Sequence, residues 1–380
     1  MIDIDNPLGS VDLKISDLLD DITFVPLETR DNLVLSTAGT PFAITHNYIL
    51  ASTPEKLLQF DRQGNYIRTL ANKGNGPNEF NSVMHLLVDE HRELIYYSQF
   101  SSKVSLTSID LKTGLFPPFL KPDFPTFSIE EIDSDGSLYG FPSPTAINIE
   151  EPAKKMEDSV LLAFKYNPHH ESVATTYKSS HQFITNQLFR TLFRQGDHFF
   201  FYFPSYADTL YQLHQDQLIP QYRITLKNQL TDFFKGGWFI RFLFSTSEGT
   251  VVVKRETQML VGDNSINVIN RPLDYLFINK KTDLQRIKSV VIDPIAFTVN
   301  MDNYMLLLSE HRDDEVMIDP IPLTSGVWGY YAVEAYNMID LINGALNSNQ
   351  LSASSRKALE ELSAKIDEES NPVLIIGKIN

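Results

Sequence analysis

The stretch KGNGPNEF, residues 73–80, carries the glycine spacing that a phosphate cradle would use. A P-loop places its Lys, and then a Ser or Thr, after the last glycine, so that the ammonium reaches phosphate and the hydroxyl reaches magnesium. Here Lys73 precedes the glycines and Pro77 follows them. Proline also removes a backbone donor that an anion nest would need. A dinucleotide fingerprint requires a third glycine opening a helix, and this loop has apolar, strand-like residues on both sides. The segment therefore reads as a connector between β-units. Phe80 is expected to pack into the following unit, and Glu79 to accept from nearby backbone N–H groups.

Other chemistry-bearing patterns are weaker. DSDG (133–136) resembles the start of a calcium loop, but the twelfth position is Pro144 where a bidentate Glu is required. A tight turn is the better reading. His169 and His170 are adjacent in the polar segment YNPHHES, and no HExxH spacing occurs. His85, His181, His198 and His311 are isolated. Among 48 acidic residues, neighbours such as Glu130 and Glu131 arise by chance, and EHRDDEV (310–316) reads as a solvated loop. No GxSxG elbow is present. The sequence thus points to no catalytic residue, no metal ligand and no cofactor. The candidates for ligand contact are aromatic and basic. Trp238 sits near Arg241 in GGWFIRF, within what reads as an insertion; Trp328 lies in the glycine-bounded SGVWGYY; Arg255 ends the strand-like TVVVKR. An indole can stack on a sugar face while a guanidinium supplies fixed donors. The competing reading is that both tryptophans seal gaps in a core.

Those residues need a scaffold, and the chain repeats one. LLQF-DRQGN-YIRTL (57–70) is an apolar strand, a turn with Gly64 free to take positive φ, and a second strand. The same plan recurs at 86–98, 129–141, 192–203, 210–224, 242–255, 273–287 and 296–309. Many short hairpins at regular spacing indicate a sandwich, barrel or propeller. With 380 residues and no Pro/Gly/Ser-rich linker, separate sandwiches are disfavoured. Four-stranded blades fit, roughly six of them, with insertions at 142–158 and 226–239, the latter carrying a possible short helix ahead of Gly236 and Gly237. The expected fold is an all-β, six-bladed β-propeller, a single domain over 1–380. Near 333–346, Met338, Ile339, Leu341, Ile342 and Leu346 recur at helical spacing; at 352–370, Leu359, Leu362 and Ile366 follow Ser352 start signals. A helical insertion over 334–370 is therefore expected, ended by Pro372 and followed by the strand NPVLIIGKI (371–379). That strand is expected to complete a blade begun by DITFVPLE (21–28).

Composition limits the partners. A formal charge of −16 repels nucleic acid. The absence of cysteine excludes disulfides and thiolate metal sites. No apolar run approaches the ~20 residues that span a bilayer. MIDIDNPLGS shows no signal-peptide pattern, so the protein is expected either to be cytosolic or to have lost a leader.

DITFVPLET, then LLQFDRQGNYIRTL, then KGNGPNEF, with the helical tail ending in NPVLIIGKI, resembles the six-bladed β-propeller proteins of Bacteroides-type gut bacteria, related in architecture to NHL-repeat propellers. Lys73, Gly74, Gly76, Pro77, Glu79 and Phe80 all match the family's KGxGPxEF-like stretch. The resemblance implies export to the periplasm or cell surface, often through a lipid anchor on a processed cysteine that this sequence lacks. It implies no settled activity. The function expected is an exported, non-enzymatic binding or scaffold propeller whose ligand is a glycan, peptide or protein, contacted by Trp238, Arg241, Arg255 and Trp328. The alternative is a carbohydrate-active hydrolase or lyase with channel carboxylates about 5–10 Å apart.

Overall fold

The structure is a computed structural model, and it describes residues 1–37, 40–76, 78–81, 83–99, 105–117, 126–142, 160–168, 175–179, 191–195, 198–202, 209–214, 217–229, 236–261, 266–301, 321–347 and 351–380. Outside them lie most of the expected 142–158 insertion, the short helix ahead of Gly236, His169 and His170, the 310–316 loop and the second strand of the 296–309 hairpin. The described strands form six sheets, those of a six-bladed β-propeller, as expected. The other seven hairpins pair antiparallel in the places read from sequence.

Two compact units can be distinguished. The first comprises Met1–Val11, Ser102–Leu106 and Pro118–Ile287. It holds the meander Thr126–Ile132, Leu138–Pro142, Val160–Tyr166, Thr175–Ser179 and the meander Thr191–Gln195, His198–Tyr202, Thr209–His214, Gln217–Thr225. Ile2–Asp3 adds to the last of these strands in parallel, Ile2 opposite Ile224. Ile2 and Ile4 thereby enter a core with Phe193, Tyr202, Ile240, Phe242 and Val252. Rings stack through it, Phe193 on Phe242 at 4.7 Å between centroids, so aromatic content is spent on packing.

The second unit comprises Asp12–Ser101, Thr107–Pro117 and Lys288–Asn380. Its first sheet runs Phe42–Ile44, Tyr48–Ser52, Lys56–Asp61, Tyr66–Lys73, with Glu79–Phe80 parallel on the edge. The turn between the third and fourth strands shows why DRQGN forms it. Asp61 Oδ1 accepts from the N–H groups of Gln63 and Asn65, both at 2.9 Å. Gly64 takes φ +88°, and a Cβ there would lie 2.1 Å from the Pro26 carbonyl oxygen, so geometry and space both require glycine.

A further sheet of this unit joins distant sequence. Its order is Leu323–Ser325, Trp328–Val333, Val373–Ile379, Leu19–Pro26. Val373 pairs with Pro26, Leu374 with Val25 and Ile376 with Thr23. This is the expected closure of 371–379 on 21–28. Val373, Leu374, Ile375 and Ile376 are all fully buried, which accounts for a continuous apolar run rather than an alternating one. Each such side chain contributes about 1.5–3 kcal/mol of burial. Two helices separate the second and third strands: α1 (Ala335–Leu346) and α2 (Ala353–Ser363). Ser352 Oγ accepts from Ser355 N–H at 3.0 Å, capping α2. On α1, Met338, Leu341 and Ile342 are buried, while Ile339 and Leu346 are half-buried. One expectation is corrected: α2 stops at Ser363, so Ile366 lies beyond it, and Pro372 opens the strand rather than ending the helix.

Asn371 is a structural residue the sequence did not announce. It is 1% exposed. Its Oδ1 accepts from Leu35 N–H at 2.8 Å, and its Nδ2 donates to the carbonyls of Glu28 (2.7 Å) and Leu33 (2.9 Å). One amide thus holds loop 28–35 against the start of the closing strand. Asn371→Ala orphans the buried Leu35 N–H and two carbonyls, and is expected to cost about 1–3 kcal/mol of unfolding free energy in urea titration. Asn371→Asp should cost more near neutral pH, because a carboxylate would face two carbonyl oxygens. Its folded pKa would be raised above the unfolded value near 3.9, so the variant should regain stability as pH falls towards that value. A pH-independent loss would contradict this account.

Candidate functional site

The connector at 73–80 behaves as expected. Gly76 N–H donates to Glu79 Oε2 at 2.7 Å, Gly74 N–H donates to the Phe80 carbonyl at 2.9 Å, and Phe80 is 1% exposed among Ile95, Tyr97, Leu57 and Leu70. The Glu79 carboxylate occupies the loop, where it would repel an anion. A Cβ on Gly74 would fall 1.9 Å from Glu79 Oε2, so glycine makes room for that side chain. Likewise DSDG is a tight turn, with Gly136 at φ +82° donating to the Asp133 carbonyl at 2.9 Å. Among the described residues no group of His, Asp and Glu is arranged to hold a metal.

Three of the four candidate contact residues fall in the first unit. Trp238 and Arg241 lie on the regular strand Gly237–Ser245, which corrects the expected insertion loop at this point. An alternating apolar and aromatic run places Trp238, Ile240 and Phe242 on one face. Arg241 is exposed on the other face, and Arg255, opposite Phe239, shares that face. Trp238 is committed internally. Lys254 Nζ lies 4.0 Å from its ring centroid and pairs with Asp5 Oδ1 at 2.6 Å. Asp5 Oδ2 also accepts from Lys227 N–H at 2.6 Å. Burial works against the Asp5 carboxylate, but these hydrogen bonds outweigh it and hold its pKa below the usual range. The trio fastens the segment that follows the Ile2–Asp3 strand.

Trp328, in the second unit, opens the strand Trp328–Val333 after a turn at Gly326 (φ +59°) and Val327. It is not in a free loop. Three other turns converge on it. Arg62, from the 61–65 turn, lays its guanidinium over the indole with its carbon 4.5 Å from the ring centroid. Glu90, from the turn after Val83–Asp89, accepts the indole N–H at 2.8 Å. His46, exposed between Phe42–Ile44 and Tyr48–Ser52, tilts 54° to the indole at 6.0 Å. Val327 stays 41% exposed beside it. Burial lowers the Arg62 pKa, opposed by the Glu90 charge, and the buried Arg62 Nη1 has no hydrogen-bond partner among the described residues. The cluster therefore brings together an aromatic plate, a stacked guanidinium with one buried nitrogen unsatisfied, a carboxylate engaged by the indole and an exposed imidazole. Such a set can hold a flat or ring-shaped polar ligand by stacking and fixed hydrogen bonds.

A profile of the family DUF4934, a domain of unknown function, matches residues 1–378. The chain belongs to the DUF4934 family. No curated protein matches this DUF4934 chain by sequence. A crystal structure of an exported-protein candidate from Bacteroides fragilis superposes with a TM-score of 0.58 at 14% identity, covering 100% of this chain and 99% of that one. That likeness shows a shared fold. The N-terminal domain of Nup159 (TM-score 0.42, 10% identity, 86% and 80% covered) and an acylaminoacyl peptidase from Pyrococcus horikoshii (0.38, 9%, 78% and 50%) are more distant.

One residue that sequence reasoning set aside gains interest. Glu131 lies on Thr126–Ile132 opposite Tyr139, at a bulge that follows Ile129. The residue keeps partial exposure overall, yet burial of the carboxyl pushes its pKa up to about 8, with Arg194 opposing and Glu130 adding to the rise. Only the environment across neighbouring strands could reveal this, since in sequence it is one acid of 48.

Two expectations follow. Glu79→Ala should cost about 0.5–1.5 kcal/mol, and Gly74→Ala should cost less in the Glu79→Ala background than alone; additive losses in urea unfolding would contradict the shared space. For Glu131, the folded pKa exceeds the unfolded value, so ionisation penalises the fold increasingly as pH rises from about 4.5 to 8. Glu131→Gln should therefore raise Tm more at pH 8.5 than at pH 4.5; an equal change at both would remove the case for a raised pKa.

Proposed function

We propose that this DUF4934 chain is an exported, non-enzymatic binding or scaffold module whose ligand is a glycan, peptide or protein. Trp328, with Arg62, Glu90 and His46, forms its principal contact. The observation that carries this reading is the convergence of four turns on one half-buried indole, with a guanidinium stacked on it and a buried Nη1 that none of the described residues engages. Trp238, Arg241 and Arg255 take a lesser part, Trp238 because Lys254 and Asp5 already engage it. Periplasmic or cell-surface location, with a lipid anchor on a precursor, belongs to the same proposal; the description of the Bacteroides fragilis neighbour as an exported-protein candidate is consistent with it. The same proposal includes an NHL-type kinship of the blades and a single domain spanning 1–380 with a helical insertion at 334–370. A net charge of −16 argues against nucleic acid as the ligand.

A second reading, a carbohydrate-active hydrolase or lyase, draws on Glu131. A carboxylic acid held protonated near neutral pH is what a general acid requires.

The chain has two tryptophans, so Trp238→Phe leaves Trp328 as sole reporter. In that background, hits from a glycan and peptide array should shift or quench Trp328 fluorescence saturably. Arg62→Ala and Glu90→Gln should weaken the same hits at least about tenfold while the protein stays folded by circular dichroism. Hits that leave Trp328 fluorescence unchanged would overturn the site. Turnover of an arrayed glycan that Glu131→Gln abolishes would overturn the non-enzymatic reading.

A further inference from the structure

The sheet that closes the second unit has a bare edge. Leu19–Pro26 is its last strand. Leu27 N–H donates to the Pro372 carbonyl at 3.2 Å, which fixes the phase of the ladder. In an antiparallel pair, residues alternate between bonding the partner strand and facing away. Val25 and Thr23 therefore bond the Val373–Ile379 strand. The Pro26 carbonyl is covered by Gly64 of the 61–65 turn, and the N–H and C=O of Phe24 point outward. Among the described residues none supplies these groups with a partner. The usual guards of an edge are partial here: Asp20 and Asp21 are exposed and Asp21 is kinked at φ +53° within a register shift of the ladder, but Thr23–Pro26 beyond it keeps continuous register.

That edge faces a wall. Helix α2 presents Ser355, Ala358 and Leu362 across it, enclosing with Leu19, Ile22 and Phe24 a groove of about 670 Å³. A second hollow of about 830 Å³ continues the groove along Thr23–Thr29 to the 62–65 turn. The floor of the first groove is apolar. Its charged lining is Asp20, Asp21 and Glu361 against one cation, Lys365.

We propose that this groove docks an extended, cationic segment of a protein partner by strand addition. The segment's backbone would bond the N–H and C=O of Phe24, its alternate apolar side chains would rest against Ile22, Phe24 and Ala358, and its Lys or Arg side chains would meet Asp20, Asp21 and Glu361. Backbone bonding to a free edge gives such recognition its affinity, and the pockets for alternate side chains give it specificity. The first hollow, where the segment is placed, shares no residue with the Trp328 cluster; the second reaches that cluster through Arg62.

The test uses the full chain and an array of octapeptides alternating Lys or Arg with each apolar residue, beside a matched array carrying Glu in place of the cations. The basic array should yield saturable binders, measured by fluorescence anisotropy, that slow hydrogen exchange of the Phe24 amide. Ala358→Trp, which fills the groove, and the double reversal Asp20→Lys with Glu361→Lys should each weaken them by about tenfold or more; Trp328→Ala should leave them unchanged. No saturable binder, equal binding of the Glu array, an unprotected Phe24 amide in the complex, or full affinity in Ala358→Trp would each overturn the proposal. Wild-type exchange data keep the test decisive even where a variant misfolds.

Discussion

The backbone ladder between Leu19–Pro26 and Val373–Ile379 is the constraint on which the rest of the second unit depends. Thr23 Oγ and the Ile376 carbonyl that it reaches are 353 residues apart in sequence. Closing so long a loop costs entropy that must be recovered by the contacts made at the closure. With no cysteine in the chain, no covalent staple shares that cost. Four fully buried apolar residues of the closing strand and the three hydrogen bonds of the Asn371 amide supply the compensation. The same sheet then carries both surfaces of functional interest, Trp328 at the head of one strand and the bare edge of Leu19–Pro26.

A single device recurs wherever a sheet of this unit meets the next: a side chain reaches across to a backbone or carboxylate group that would otherwise be stranded. Tyr330 Oη donates to the Phe42 carbonyl at 3.1 Å and accepts from the Phe42 N–H at 3.3 Å, and burial pushes its pKa up to about 12. Gln59, fully buried, donates to the Leu111 carbonyl at 2.8 Å while its oxygen accepts from Arg68. Glu28 accepts from Tyr66 N–H at 2.7 Å. The Trp328–Glu90 bond belongs to this series in geometry. It differs in having a guanidinium stacked on the indole, one buried nitrogen of which has no partner among the described residues.

Much of the fold was legible because its signals are local. DRQGN declares a turn through Asp61 and Gly64, SASS declares a helix start through Ser352, and VLIIGKI declares a buried strand by its unbroken apolar run. Trp238 was misplaced for an equally local reason: Gly236 and Gly237 drew the expected insertion out to residue 239, whereas the strand begins at Gly237 and its aromatic alternation already includes Trp238. The candidate-site residues and Asn371 were less legible. Glu131, Arg62, Glu90 and Asn371 owe their properties to neighbours far away in sequence, and each is individually an ordinary surface-type residue. Trp328 was visible as an indole beside glycines; the turns that converge on it were not.

Native-state hydrogen exchange tests the central claim most directly. If the Leu19–Pro26 and Val373–Ile379 ladder is what holds this unit together, the amides of Val25 and Leu374 should open with the same free energy as those of Leu50 and Phe60 in the unit's core, through one cooperative unfolding. Exchange of Val25 and Leu374 through a local opening several kcal/mol less costly, with Leu50 and Phe60 still protected, would show that the unit stands without its closing strand and would contradict the account.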